Sequence, residues 1–523
     1  MVPPSFLANK KLAIKNAVLI LLLAFLALIV LKAFYLSSQR ANSVSRSLAL
    51  VECYRAEMLM RMADAAGYLS QSSYGMQKKS QKNVLQTYDK VVCQAKDLLS
   101  DASTKEPYDT EILAKKMILD ERVGQDIKPN LARLSLICAA EEKKDLSNSS
   151  TAKFAKLILA IYGSGLPASS STPPQSNAAI FSTADIHFLE GYLSDGWYKE
   201  QVLLRVYKLN HQDASYQKLF SAIKNKTWLY VFKLVLIGFC GTIAALVGVV
   251  VIIYQLVIVG NRPVTMDTEA KKMAVTLKTD PAKFGWQTVA CVFLAWFFTQ
   301  IVIGYSASLL KQKGLSFSFF GSFASAISIA LIYLLSNGPA LLYIYLFALR
   351  PNGLKFAEGI NFRWQVDKHG AIALILVGIL GWFAAMPLVI AAYFISANLF
   401  GSSGSSNPVI AIVMEAAQQN NFWAILLFYF TLGVLAPLCE EGLFRGFFYK
   451  YLRSRHSILV ANVLSSGLFA IAHLDLGAVL PLFCLGSIFA YLYETTDSIV
   501  PAMVAHGLWN SITFTLVLML FGS

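Results

Sequence analysis

The chain has 523 residues, 56% of them hydrophobic and 15% charged, with a positive mean hydropathy. That excludes an ordinary soluble globular protein and points to one that crosses a membrane many times. The formal charge of +14 fits Lys and Arg gathered in cytoplasmic loops better than nucleic-acid binding, and no zinc-finger cysteine spacing, P-loop or dinucleotide glycine fingerprint is present.

Residues 17–36 are apolar over a length that spans a bilayer, with Lys10, Lys11 and Lys15 before them. Lys32 interrupts the run and no small-x-small cleavage site follows, so residues 1–36 are expected to be an uncleaved anchor with its N-terminus inside. Residues 37–226 form one polar domain. Ala56–Leu69, Lys82–Leu99 and Thr110–Val123 repeat apolar residues at helical intervals, and Trp197–Leu209 is amphipathic. The Gly-, Ser- and Pro-rich stretch Gly163–Asn177 reads as a loop, and helices resume near Ala184. His187 and His211 are isolated and predict no site. Docking of a protein partner, or regulation, is the expected role of this domain. Its cysteines, Cys53, Cys93 and Cys138, allow one disulfide and one thiol; the other four lie in apolar runs.

From Trp228 the chain reads as membrane, with spans near 228–258, 284–310, 318–349, 371–398, 422–447, 457–474, 478–494 and 499–521. Basic loops carry Arg262, Lys271, Lys272, Lys278 and Lys283, then Arg350, Lys355, Arg363 and Lys368, then Lys450, Arg453 and Arg455. Placing all three in the cytoplasm puts 37–226 and the uncharged loop Gly401–Asn407 outside. The expected fold is all-α: a multispanning transmembrane helical bundle of about nine spans with an N-terminal helical extracytoplasmic domain. Residues 227–369 would add transmembrane helices to a functional bundle at 370–523.

Within that bundle the chain carries Glu440, Glu441 and Arg445, then His473, then His506 and Asn510. An isolated charge at the bilayer centre costs roughly 2.5–3.5 kcal/mol on insertion scales, so these groups must be paired, hydrated or used. Glu441 and Arg445 are i and i+4 on a helix and can pair. Glu440 points about 100° away from Glu441 and is left to take a proton from water. His506 and Asn510, again i and i+4, present an imidazole and an amide on one face, donors suited to a developing oxyanion. Glu440 lies fifteen residues before Arg455 and His473 eighteen after it. At about 1.5 Å per residue both rise about 22–27 Å from the turn, so an antiparallel hairpin brings carboxylate and imidazole to similar depth. From spacing alone the chemistry stays open among hydrolysis, metal binding and proton-coupled transport.

At these residues the chain resembles the CAAX-protease and bacteriocin-processing (Abi) family of intramembrane proteases. Glu440-Glu441-Gly-Leu-Phe-Arg445 resembles its EExxxR motif, Phe469-Ala-Ile-Ala-His473 its FxxxH motif and His506-Gly-Leu-Trp-Asn510 its HxxxN motif. Phe483–Gly486 and Tyr491–Pro501 resemble the intervening helix and turn. The similarity spans about 370–523. It implies a helical bundle around a hydrophilic cavity open to the cytoplasm, Glu440 and His473 activating water, His506 and Asn510 stabilising an oxyanion, and Arg445 anchoring Glu441.

The expected function is that of an intramembrane endopeptidase acting on a membrane-associated peptide or protein, in a bacterial inner membrane, without a cofactor. A zinc protease is the nearest rival, since a carboxylate and two histidines can ligate zinc; Asn510 is a poor zinc ligand. A non-catalytic scaffold or immunity-type protein is the second rival. A transporter is disfavoured because no inverted repeat relates the halves.

Overall fold

The structure, a computed structural model, describes residues 108–122, 126–143, 149–163, 180–193, 196–260, 285–312, 321–365, 370–400 and 421–521, with short stretches inside 16–27 and 56–65. Among the described residues all regular structure is helical. The chain divides into two compact units, one of residues 40–237 and one of residues 1–39 with 238–522. Lys82–Leu99, most of the loop expected at 163–177, the basic loop at 262–283, the loop 401–407, and Cys53 and Cys93 lie outside the described residues.

The first unit contains a helical stretch at 56–65 followed by α1 (Tyr108–Arg122), α2 (Lys128–Lys143), α3 (Ser150–Gly163), α4 (Thr183–Tyr192) and α5 (Trp197–Leu209). α4 starts at a capping box, in which Ser182 and Asp185 each satisfy a backbone N–H of the other. Successive helices pack α1 on α2, α2 on α3 and α4 on α5. Leu113, Met117, Phe154, Ile158, Leu189, Trp197, Val202 and Val206 share one buried core. The core is framed by charge. Buried Arg61 bonds Glu57 (3.1 Å) and Glu200 (3.0 Å), and Asp64 accepts from the Trp197 indole N–H (2.8 Å) and from Arg122 (2.9 Å). Buried ions with several partners fix which helices meet, more than they add stability.

α6 (Asp213–Gly260) runs from this unit into the apolar region. The membrane unit continues with α7 (Trp286–Gln312), α8 (Gly321–Ile344), α9 (Ala371–Phe400), α10 (Phe422–Arg453), α11 (Ile458–Ala472), α12 (Val479–Thr496) and α13 (Val500–Phe521). Seven of the described helices are long and apolar enough to cross a membrane: α6–α10, α12 and α13. This is an all-α multispan bundle. The expected span at 457–474 is instead the 15-residue α11, about 22 Å long against a hydrocarbon core of about 30 Å. It stops early because Leu474 takes a left-handed conformation (φ 52°) and Asp475 caps the short 3₁₀ turn that follows. Of the anchor expected at 17–36, the described positions all fall within 17–27 and are helical; the rest lies outside the described residues.

α10 is one helix with two π-helical segments, Thr431–Leu435 and Gly442–Tyr449, on either side of Ala436–Glu441. Asn421 and Ser457 cap the starts of α10 and α11 through their side chains. One end of the bundle is tied by polar contacts. Glu494 accepts from Arg453 twice (2.9 Å each) and from the Tyr449 hydroxyl (2.9 Å), Asp497 pairs with Arg363 (2.8 Å), and Lys450 donates to the Gly359 and Asn361 oxygens.

Candidate active site

Glu440 and Glu441 sit in the short α-helical segment between the two π segments of α10, a distortion common at functional sites. The two carboxylates have different surroundings. Glu441 is fully buried and its Oε1 accepts from Arg445 Nη1 (3.1 Å) and meets His506 Nδ1 at 2.8 Å. Arg445, equally buried, donates from Nη2 to the Gly486 carbonyl (3.0 Å), and its guanidinium lies over the Phe469 ring (4.4 Å). Space at Gly486 is tight: a Cβ would stand 3.1 Å from the Ser466 Cα and 3.2 Å from Arg445 Nη2.

Glu440 lies on the polar side of this arrangement. Its Oε1 accepts from the Tyr333 hydroxyl of α8 (2.7 Å). Its Oε2 makes no hydrogen bond within the described residues. That oxygen faces two imidazoles, His473 Nε2 and His506 Nε2, each at 3.9 Å. These distances exceed a direct hydrogen bond and suit an intervening small molecule.

The other ring nitrogens set the tautomers. His473 Nδ1 lies 2.8 Å from the Phe469 carbonyl, which only accepts, so Nδ1 carries the proton. His506 Nδ1 faces the Glu441 carboxylate in the same way. Both rings therefore turn Nε2 toward Glu440. Phe469 stands edge-on to both histidines (4.8 and 6.0 Å between centroids), and Phe489 stacks on His506 (5.1 Å). Asn510 is one turn past His506 and donates to the Leu432 carbonyl of the first π segment (3.0 Å). α13 can approach α10 this closely because Gly433 and Gly507 meet backbone to backbone; a Cβ on Gly507 would be 2.4 Å from the Gly433 oxygen.

Five of the six residues singled out from the sequence, Glu440, Glu441, Arg445, His473 and His506, fall in one cluster. The fold brings Glu440 and His473 together across the α10–α11 hairpin, adds His506, and links Glu441 with both Arg445 and His506. Asn510, one turn past His506, is tied instead to the Leu432 carbonyl of α10. Sequence reasoning missed Tyr333, which stands 107 positions before Glu440; a tyrosine within an apolar helix gives no signal of its own. His473 caps the C-terminus of α11 instead of lying within a span.

Residues 421–512 match the family model described as type II CAAX prenyl endopeptidase Rce1-like. The chain is also 28% identical over 169 residues to the "Putative membrane peptidase YdiL" of Bacillus subtilis strain 168, an alignment covering 32% of this chain and 61% of that relative. Both matches support a likeness of this segment to the CAAX-protease and bacteriocin-processing family. The chain thus spans about three fifths of the length of the curated relative it matches. No solved structure matches it. The family segment contains all six residues singled out from the sequence and runs from the start of α10 into α13; Tyr333 lies outside it.

Proposed function

We propose that this protein is an intramembrane endopeptidase in which Glu440 activates a water molecule to attack a peptide bond. The observation that carries the reading is the convergence of two imidazole Nε2 atoms on one carboxylate oxygen, each at 3.9 Å. A water about 2.8 Å from each of the three atoms spans those gaps. Glu440 Oε2 takes a proton from that water as it attacks, and His473 Nε2 accepts its second hydrogen and aims the lone pair. His506 and the second amide hydrogen of Asn510 face the developing oxyanion and stabilise it. Protonated Glu440 then returns its proton to the leaving amine. Glu441 and Arg445 hold His506 in orientation. The substrate class is a membrane-associated peptide or protein, and the native setting a bacterial inner membrane.

Two imidazoles and a carboxylate are also the donor set of a zinc protease. In tetrahedral zinc, with bonds of about 2.0–2.1 Å, ligand atoms stand about 3.3 Å apart; the spacings here are wider. No group of three His, Cys, Asp or Glu among the described residues is placed to hold a metal ion. The metal-free reading therefore fits better, and metal content and chelator resistance of the purified protein separate the two.

The test compares membrane peptides from cells carrying the wild-type protein or Glu440→Ala at equal expression. Fragments present only with the wild type are expected. Identical fragment sets would return the protein to the scaffold reading.

A further inference from the structure

The family segment supplies one wall of the Glu440 environment, and α8 supplies another. Tyr333 on α8 donates its hydroxyl hydrogen to Glu440 Oε1 at 2.7 Å. A carboxylate on a flexible side chain can present either oxygen to the histidines and can rotate between them. The tyrosine bond occupies Oε1 and leaves Oε2, which has no protein partner among the described residues, aimed at the His473 and His506 nitrogens. Tyr333 has the reach for this because α8 packs directly on the Glu440 segment of α10. The neighbouring Asn337 is itself held by Gln300 of α7 (2.8 Å).

We propose that Tyr333 is a positioning residue for the site: its hydroxyl locks the Glu440 carboxylate so that one chosen oxygen serves as the base. This rests on the peptidase reading above, and it extends the working site beyond residues 421–512 to a helix that the family match does not include.

Tyr333→Phe deletes only the hydroxyl and keeps the ring. With a peptide whose cleavage depends on Glu440, the variant should lose roughly 10- to 100-fold in kcat, the scale of one hydrogen bond to a charged group, with KM within about twofold and an unchanged melting temperature. A purely structural tyrosine would instead lower the melting temperature, or leave kcat alone. A second measurement needs no substrate. The carboxylate infrared band that disappears in Glu440→Gln should shift in Tyr333→Phe, because its hydrogen bond is gone.

An unmoved band, or an unchanged kcat in a variant that melts normally, overturns the assignment of Tyr333 while leaving the peptidase reading intact. If instead Glu440→Gln cleaves like the wild type, the peptidase reading fails, and the infrared comparison still decides whether the tyrosine holds the carboxylate.

Discussion

Arg445 meets Glu441 one helical turn away at 3.1 Å, with both side chains fully buried, as their i, i+4 spacing allows. Its other contacts, to the Gly486 carbonyl and the Phe469 face, were not legible, because spacing along one helix says nothing about the register of its neighbours. The same blindness hid the Glu441–His506 contact and Tyr333. Arg445→Ala leaves a fully buried Glu441 without its cation. Breaking such a pair costs roughly 3–5 kcal/mol, expected as a clear loss of stability in SDS-driven unfolding. Arg445→Lys should recover only part of it, since an ammonium cannot serve the carboxylate and the carbonyl with a planar fork while stacking on Phe469. Wild-type stability in both variants would show that the guanidinium is not the anchor. The phenylalanine of the second motif also gains a physical role here, as the aromatic wall against Arg445, His473 and His506.

At the scale of elements, counting residues along both helices from the turn at 453–456 predicts one depth for Glu440 and His473, and α10 and α11 do carry them to one place. The count gave no sign of the π segments of α10, nor of the early end of α11, which a single left-handed residue sets. The close crossing of α10 and α13 was equally invisible. It suggests a test with its own control. Gly507→Ala forces the Gly433 backbone away from a Cβ that would stand at 2.4 Å, and backbone cannot yield as a side chain does. The shift carries His506 and Asn510 with it, and misplacement by about 1 Å costs roughly 100-fold in rate. Gly467→Ala, in α11, meets nothing within 4 Å and should leave activity unchanged. Equal activity in the two variants would remove the crossing from the account.

For the whole molecule, hydropathy made the membrane unit legible as a set of apolar helices, while the ion pairs that organise the first unit could not be read, being long-range contacts such as Arg61 with Glu200. Charge gives the membrane unit a direction. Arg363, Lys450 and Arg453 gather at one end, bound to Glu494, Asp497 and Asn361. The loop after His473 lies at the other: Gly477 accepts from Ser396, near the far end of α9. His473 and Leu474 are exposed on that edge. If the basic end is cytoplasmic, the edge at His473 faces the opposite side, whereas the family resemblance implied a cavity open to the cytoplasm. The charge distribution leads us to expect that Leu474→Cys, in a cysteine-free background, reacts with a membrane-impermeant maleimide in intact cells. Labelling only after permeabilisation would reverse the orientation.

The central claim is that Glu440 and His473 act on one water to cut a peptide bond, and cleavage at a single identified bond by purified protein measures it most directly. Glu440→Gln and His473→Ala, folded as the wild type and assayed with a strong chelator present, should each lose cleavage by at least about 100-fold, while the wild type stays active. Cleavage by either variant at the wild-type rate would contradict the account.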